Sequence, residues 1–157
     1  MKMNCNFSKR SKAFRDGLKF LIDAEDFEKF VKNESFRLNK GYVYSGKDKY
    51  LHRILMNAPD VMFVDHIDGN PLNNQKSNLR LCTHQENMMN QGKQKNNKSG
   101  FKGVYWAKHA QKFQAQIMID GKLKYLGLFE KAEDAFKVYC QAGKKLHGDF
   151  FNSGDEN

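Results

Sequence analysis

A string of polar residues set between short apolar segments restricts the fold of this chain more than any other feature. It reads VDHIDGNPLNNQKSNLRLCTHQENMMN, from Val64 to Asn90. The apolar segments 61–64 and 79–82 predict two short strands. A loop rich in asparagine separates them, and Thr83 is typical of a residue that starts a helix. The string is therefore expected to fold as strand, long loop, strand and helix.

Four polar residues of this string carry chemistry. Asp65 and His66 end the first predicted strand, Asn78 closes the loop, and Asn87 lies on the helix. A carboxylate and an amide can share one hard cation, and oxygen ligands favour magnesium, with manganese as the second choice. An imidazole beside such a site can accept a proton near neutral pH. A metal and a base together suffice to hydrolyse a phosphodiester.

Two other interpretations of the string are weaker. Asn-rich turns are common, so Asp65, His66 and Asn78 could be ordinary turn residues, but that leaves the ordered set unexplained. A calcium loop is excluded by its register: with Gly69 as the required glycine, Val64 would stand at the first ligand position.

The string resembles the HNH endonuclease family, in its phage and intron-borne homing branch, and LHRILMN and IDAEDFEKF extend the match to about residues 18–90. The resemblance implies a ββα-metal fold. It implies that Asp65 and Asn87 hold the metal, that His66 is the general base, and that Asn78 holds the loop closed. The family often has histidine where Asn87 stands, and the amide disfavours zinc.

Three basic residues around the string are candidate phosphate or cleft contacts. Arg53 is expected either to clamp the scissile phosphate or to form a surface ion pair. Arg80 is expected to alternate outward from the second strand and to contact phosphate. His84 is expected to touch either the metal or phosphate and solvent.

The segment before the string predicts a small packed unit. Residues 1–17 are expected to form a basic flexible tail, 18–22 a strand, and Asp23 the cap of a helix. That helix is expected to pack on the strand through Phe27, Phe30 and Val31. Further strands are predicted at Phe36–Leu38, Tyr42–Tyr44 and Tyr50–His52, followed by a helix at 52–56.

A polar stretch divides the chain. Residues 91–98 predict a basic linker, 99–152 a second domain, and 153–157 a tail. Three antiparallel strands are predicted in this domain, at Val104–Ala107, Phe113–Ile119 and Leu123–Phe129, followed by a helix from Ala132 to about Leu146. That helix is expected to face the sheet through Ala135, Phe136, Tyr139 and Gly143.

Residues 99–152 resemble the Apetala-two or ethylene-response-factor type of DNA-binding domain, through SGFKGVYW, KFQAQIMIDGK, YLGLFEKAEDAFKVY and KLHGDFFN. The resemblance implies a three-stranded sheet whose outer face lies in the major groove. Plant domains carry base-reading arginines where this chain has Tyr105, Met118 and Leu123, so their target sequence does not transfer. Trp106 is expected in the core, with a groove contact as the alternative. The candidate DNA contacts are Lys93, Lys95, Lys98, Lys102, Tyr105, Lys112, Gln114, Gln116, Met118 and Lys124.

Composition agrees with a nucleic-acid partner. The net charge is +9 and the pI about 9.4, which favours a polyanionic partner. No apolar run approaches the roughly 20 residues that span a bilayer, and the N-terminus is unlike a secretory signal. Cys5, Cys82 and Cys140 form no CxxC pair, so no structural zinc is expected.

These observations predict an α+β chain in which a ββα-metal nuclease module precedes a sheet-and-helix DNA-binding module. The expected activity is metal-dependent cleavage of double-stranded DNA by a homing or mobile-element endonuclease, in the cytoplasm of a phage-infected or bacterial cell. One active site predicts nicking, and the sequence leaves monomer or dimer undecided. The alternatives are a non-catalytic DNA-binding regulator and an RNA-directed nuclease.

Overall fold

Short antiparallel strand pairs dominate the residues that the computed structural model describes, which are 2–5, 18–32, 34–46 and 49–154. The chain divides into two units, Met1–His84 and Gln85–Asn157. The predicted linker, residues 91–98, belongs to the second unit, because the boundary between the units lies between His84 and Gln85. Most of the predicted N-terminal tail and the end of the C-terminal tail lie outside the described residues.

The described part of the first unit contains three antiparallel strand pairs. They are β1 (Lys2–Cys5) with β2 (Phe20–Asp23), β3 (Phe36–Asn39) with β4 (Tyr42–Ser45), and β5 (Phe63–His66) with β6 (Leu79–Cys82). Between them lie the helices α1 (Ala24–Asp26), continued by a π-helical turn at Phe27–Val31, and α2 (Leu51–Leu55), with a 3₁₀ turn at Lys76–Asn78. The predicted pattern of strand, loop and strand in the polar string is confirmed.

One apolar core holds these elements together. Leu18, Phe20 and Ile22 alternate along the chain and are all buried, as expected for one face of a strand. Val64 and Leu79 belong to the same core, so it anchors the β5–β6 hairpin. Burying each such side chain contributes about 1.5–3 kcal/mol. The predicted packing of Phe27, Phe30 and Val31 on this core is confirmed.

Two local predictions for this unit are wrong. Tyr50–His52 is not a strand: Tyr50 forms one isolated bridge to Tyr44, and the chain turns helical at Leu51. Leu51, His52 and Leu55 are buried, and this i, i+1, i+4 spacing fits one face of a helix, whereas an amphipathic strand would alternate between its two faces. Within the predicted tail, Lys2–Cys5 forms a strand that pairs with β2.

Asp23 does not cap its helix as predicted. It stands at the N-cap position, but its side chain makes no cap hydrogen bond there. Its carboxylate instead accepts from the main-chain N–H of Lys76 at 2.8 Å and from Nε2 of Gln75 at 3.3 Å. The buried Asp26 pairs with Nζ of Lys76 at 2.6 Å. The acidic start of the helix therefore anchors the Asn-rich loop.

The second unit contains the predicted antiparallel meander and helix. Helix α3 spans His84–Asn90, and its first residue is the last residue of the first unit. The elements that follow it are β7 (Val104–Ala107), β8 (Lys112–Ile119), β9 (Lys122–Phe129) and α4 (Ala132–His147). The strands lie in the order β7, β8, β9. The helix buries Ala132, Ala135, Tyr139 and Gly143, which confirms its predicted inner face.

Burial along β8 follows the predicted alternation. Ala115 and Ile117 are buried and Met118 is exposed. Trp106 is not the core residue that was expected: 47% of it is exposed, and one side of its ring contacts Phe113 edge-on at 4.9 Å between centroids. In the described part of the chain, no helix has both the length and the apolar character needed to cross a membrane.

Replacing Gly103 with alanine should destabilise the second unit strongly. Gly103 has a φ of 73°, and a Cβ there would overlap the ring of Tyr139. Gly121 has a φ of 72° with nothing within 4 Å of its Cβ position, so Gly121→Ala is a matched control. The left-handed backbone costs both variants about 1–2 kcal/mol, and the overlap should add about 1–3 kcal/mol for Gly103→Ala.

Trp106, the single tryptophan, reports unfolding of this unit in urea. Equal loss of unfolding free energy in the two variants would contradict the predicted packing of Gly103 against Tyr139.

Candidate active site

The β5–β6 hairpin places Asp65 and His66 next to each other at the end of β5. In its antiparallel register, Asp65 lies opposite Arg80 and His66 opposite Leu79. Asp65 is 6% exposed and His66 is 5% exposed. A carboxylate buried this deeply needs a compensating charge or hydrogen-bond donors.

Arg80 supplies that compensation. Its Nε and Nη2 donate to Oδ2 of Asp65 at 2.8 and 2.7 Å. The predicted outward direction of Arg80 is wrong, because the cross-strand register sets its side chain against the carboxylate. The guanidinium is itself mostly buried, at 17% exposure, so little solvent screens the pair.

His66 is buried beside an asparagine and two aromatic rings. Its Nε2 is 3.4 Å from Oδ1 of Asn74, and its ring centroid is 5.1 Å from that of His52 and 5.9 Å from that of Tyr42. Burial lowers the pKa of His66, against the opposing effects of the Asn74 hydrogen bond and two nearby carboxylates. The imidazole is therefore uncharged at neutral pH, the form in which it can accept a proton.

His52 is a second buried histidine next to His66. Burial, together with the smaller effects of the charges of His66 and Arg53, lowers its pKa to about 3. Its ring stacks on Tyr50 at 5.5 Å and contacts Tyr42 at 5.4 Å. Nδ1 of His52 is buried, and no hydrogen-bond partner for it exists among the described residues.

The loop after His66 is closed by Asn78 and Asp68. Nδ2 of Asn78 donates to Oδ1 of Asp68 and to the carbonyl of Asn73, both at 2.9 Å, and its Oδ1 accepts from the N–H of Asp68 at 3.0 Å. The Asp68 carboxylate also accepts from Nδ2 of Asn73 at 2.7 Å and from the N–H of Asn70 at 2.8 Å. Partial burial raises the pKa of Asp68, but these hydrogen bonds outweigh it and the net shift is downward. The catalytic role expected of Asn78 stays a prediction.

Arg53 serves the backbone of its own unit. Nη1 donates to the carbonyl of Met62 at 2.7 Å, and Nη2 donates to those of Pro59 and Ala58 at 2.8 and 3.3 Å. These bonds hold the turn that leads into β5. The guanidinium thus binds main-chain oxygens. This arrangement is neither the phosphate clamp nor the surface ion pair that was expected.

Asn87 and Asp65 lie in different units. Asn87 is half-buried on α3 in the second unit, so its convergence with Asp65 on one cation stays a prediction. His84 is exposed and its ring lies 5.1 Å from that of Phe63. Across the described ranges, no group of three or more His, Cys, Asp or Glu side chains is arranged to hold a metal ion.

Two lysines predicted to contact DNA lie elsewhere. Nζ of Lys102 donates to the carbonyls of Met89 and Asn152 at 2.9 and 2.8 Å, and burial lowers its pKa to about 8. Lys124 lies opposite Ile117, whose side chain points to the helix, so the register separates Lys124 from the outer face of the sheet.

The remaining candidate lysines are at the surface or its edge. Lys112 pairs with Glu130 at 2.8 Å, and Nζ of Lys93 donates to a main-chain carbonyl at 2.8 Å. Lys95 and Lys98 are exposed. Phosphate contact by these four residues stays a prediction.

The outer face of the sheet is rich in apolar side chains and amides. Nε2 of Gln114 donates to Oε1 of Gln116 at 3.0 Å on this face. The two glutamines are surrounded by large exposed side chains, namely Tyr105, Met118, Leu123, Tyr125 and Leu128. A register shift between Ala115 and Gln116 sets Leu128 opposite Gln114 and Tyr125 opposite Gln116. Sequence reasoning missed Tyr125 and Leu128, because strict alternation cannot place both on one face.

Asn74 belongs to the site around Asp65 and His66, but the sequence analysis did not identify it as a candidate residue. It is fully buried, and its side chain faces His66. The Asn-rich loop itself was recognised, but nothing in the sequence distinguishes Asn74 from Asn73 beside it. Only the folded loop shows which of the two turns inward.

Comparisons with known proteins relate this region to one family. The profile described as HNH endonuclease matches residues 36–89. Protein 3.8 of Escherichia phage T7 is 36% identical over 92 residues, 59% of this chain and 75% of that protein. "Uncharacterized HNH endonuclease L560" of Acanthamoeba polyphaga mimivirus is 33% identical over 92 residues, 59% of this chain and 46% of that protein. No solved structure matches the chain.

Acid should destabilise the first unit through His52. The unfolded chain takes up a proton near the ordinary histidine pKa of 6.5, whereas folded His52 does so only near 3. The stabilisation is therefore complete above pH 6.5 and is lost as the pH falls towards 3. Between pH 7 and 5 the unfolding free energy should fall by about 2 kcal/mol from this residue.

Urea unfolding followed by circular dichroism at several pH values measures this slope. His52→Phe should reduce it by this contribution and leave the smaller part that the buried His66 supplies, and His84→Gln, at an exposed position, should retain it in full. An unchanged slope in His52→Phe would refute the assignment.

Removing Arg80 should leave a buried charge uncompensated. Arg80→Met is expected to lower the unfolding free energy by about 3 kcal/mol. Lys32→Met is the control, because its pair with Glu28 is exposed on both sides and is worth at most about 0.5 kcal/mol. The double variant Asp65→Leu with Arg80→Met should recover part of the loss. Equal effects of Arg80→Met and Lys32→Met would contradict a buried ion pair.

Proposed function

Because the chain belongs to the HNH endonuclease family, we propose that it is a metal-dependent DNA endonuclease of the homing or mobile-element type. The observation that carries the proposal is the buried pair of Asp65 and His66 at the end of β5, beside a loop closed by Asn78. The proposed mechanism uses a carboxylate and a neutral imidazole held next to each other, and a solvated turn would not hold them.

The donor atoms fit a hard divalent cation. Asp65 offers a carboxylate at the strand end, and Asn87 offers an amide oxygen on α3. Such oxygen ligands favour Mg²⁺ or Mn²⁺ over zinc. When bound, a divalent ion supplies stabilisation of charge on the phosphate and on the leaving oxygen. Arg80 would keep the Asp65 carboxylate oriented.

His66 would act as the general base. Its lowered pKa keeps the ring neutral at pH 7, so it is ready to take a proton from the attacking water. The Asn78–Asp68 contacts fix the chain directly after His66 and restrict the movement of its backbone. One such site cuts one strand per encounter, so a monomer should nick.

Site recognition is assigned to the second unit. Gln114 and Gln116 present amides on the outer face of the sheet, the chemistry that reads adenine edges. Tyr105 and Met118 provide apolar contacts beside them. Exposed lysines of segment 91–98, together with the net charge of +9, would supply phosphate contacts and a steep salt dependence.

A second candidate is a non-catalytic DNA-binding regulator. The observation that favours it is the engagement of Oδ2 of Asp65 by two N–H groups of Arg80. In a regulator that pair would be a permanent structural tie and no cation would replace it.

Incubation with supercoiled plasmid DNA, in Mg²⁺ or in chelator, should give metal-dependent nicking by the full chain. His66→Ala should lower the rate about 10²–10⁴-fold, the usual contribution of a general base. His109→Ala, at an exposed turn position, is the matched histidine control and should cut normally.

DNA binding measured in parallel by gel shift separates the candidates. Tight binding without nicking in Mg²⁺ or Mn²⁺ would support the regulator and end the endonuclease proposal. Cleavage of RNA but not of DNA would redirect the substrate assignment.

A further inference from the structure

Asn74 is an internal polar residue with two contacts that fix its side chain. It is 0% exposed. Its Nδ2 lies 3.3 Å from the carbonyl oxygen of Pro71, and its Oδ1 lies 3.4 Å from Nε2 of His66. A buried asparagine whose amide lacked hydrogen-bond partners would destabilise the fold, and these two contacts satisfy both the NH₂ group and the oxygen of the amide.

These contacts determine which way the amide points. The Pro71 carbonyl can only accept, so the NH₂ end of Asn74 must face it. The oxygen end then faces His66 and can only accept, so Nε2 of His66 must carry the proton. In a neutral imidazole the other nitrogen, Nδ1, is then left with the lone pair that takes a proton.

The main chain of Asn74 is held by β2. Its N–H donates to the carbonyl of Leu21 at 2.8 Å, and the N–H of Leu21 donates to the carbonyl of Leu72 at 2.8 Å. Asp23, two residues further on, accepts from the N–H of Lys76 at 2.8 Å. The position of Asn74 thus depends on residues 20–23, which lie outside the stretch 36–89 that matches the family.

We infer that Asn74 is a positioning residue that fixes the ring of His66 and keeps the proton on Nε2, so that Nδ1 is the nitrogen that acts as base. The inference rests on the proposed function for the base, but the position of the proton is measurable without any cleavage. Through β2, the segment before the matched stretch becomes part of what orients the active histidine.

Two variants of Asn74 separate this role from simple packing. Asn74→Leu has a similar volume and no acceptor for Nε2. Asn74→Asp retains the acceptor but places a charge in a buried site. If Asn74 only fills space, Asn74→Leu should retain more activity than Asn74→Asp. If Asn74 orients His66, Asn74→Asp should retain more activity than Asn74→Leu.

Nitrogen-15 NMR of histidine-labelled protein reads the tautomer, because protonated and unprotonated ring nitrogens have distinct shifts. The five histidines require assignment of the His66 signal by His66→Ala. Wild type and Asn74→Asp should show the proton on Nε2, and Asn74→Leu should show both tautomers. In plasmid nicking, Asn74→Leu should lose about ten- to a hundredfold in kcat with KM unchanged.

Gln75→Ala is the matched loop control, since Gln75 follows Asn74 in the same loop and its side chain donates to Asp23. It should keep both the tautomer and kcat. The inference is overturned if wild-type His66 carries its proton on Nδ1, if Asn74→Leu keeps a single tautomer, or if Asn74→Asp at matched stability loses as much kcat as Asn74→Leu. Should the wild type cleave no DNA, the proposed function fails, and the tautomer measurement alone decides whether Asn74 fixes the ring.

Discussion

A buried carboxylate next to a buried imidazole is the constraint on which the first unit is arranged. Two polar groups at the end of one short strand cannot leave water without partners. The β5–β6 register solves this for Asp65 by setting Arg80 directly opposite, and the Asn-rich loop solves it for His66 by turning Asn74 inward. The small apolar core beneath, through Val64 and its neighbours, holds the hairpin that carries both groups.

The two groups are stabilised by different physical means. The carboxylate is compensated by a guanidinium that donates two hydrogen bonds to one of its oxygens. The imidazole loses its charge because burial among Tyr42 and His52 removes the solvent that would stabilise the protonated form. In the proposed function, Asp65 would hold the cation and His66, next to it, would accept the proton.

The second unit follows a different logic. Its core is formed by one face of a three-stranded sheet against one helix, and the opposite face exposes aromatic, aliphatic and amide groups. Lys102 and Lys112 are engaged by carbonyls and by a carboxylate, so the positive charge expected on the sheet is partly committed to the fold. In the proposed function, exposed lysines such as Lys95 and Lys98 would attract phosphate, and the sheet face would contact base edges.

Local sequence pattern was enough to predict the strand–loop–strand–helix order of the polar string, the meander and helix of the second unit, and the buried side of β8. These features follow from periodicity and turn chemistry, which act over a few residues. Three polar contacts could be found only in the folded chain: Arg80 with Asp65, Asp23 with a distant loop instead of its own helix, and Asn74 rather than Asn73 with His66. A polar side chain takes whichever partner the fold brings within hydrogen-bond distance, and those partners lie up to 53 residues away in the chain.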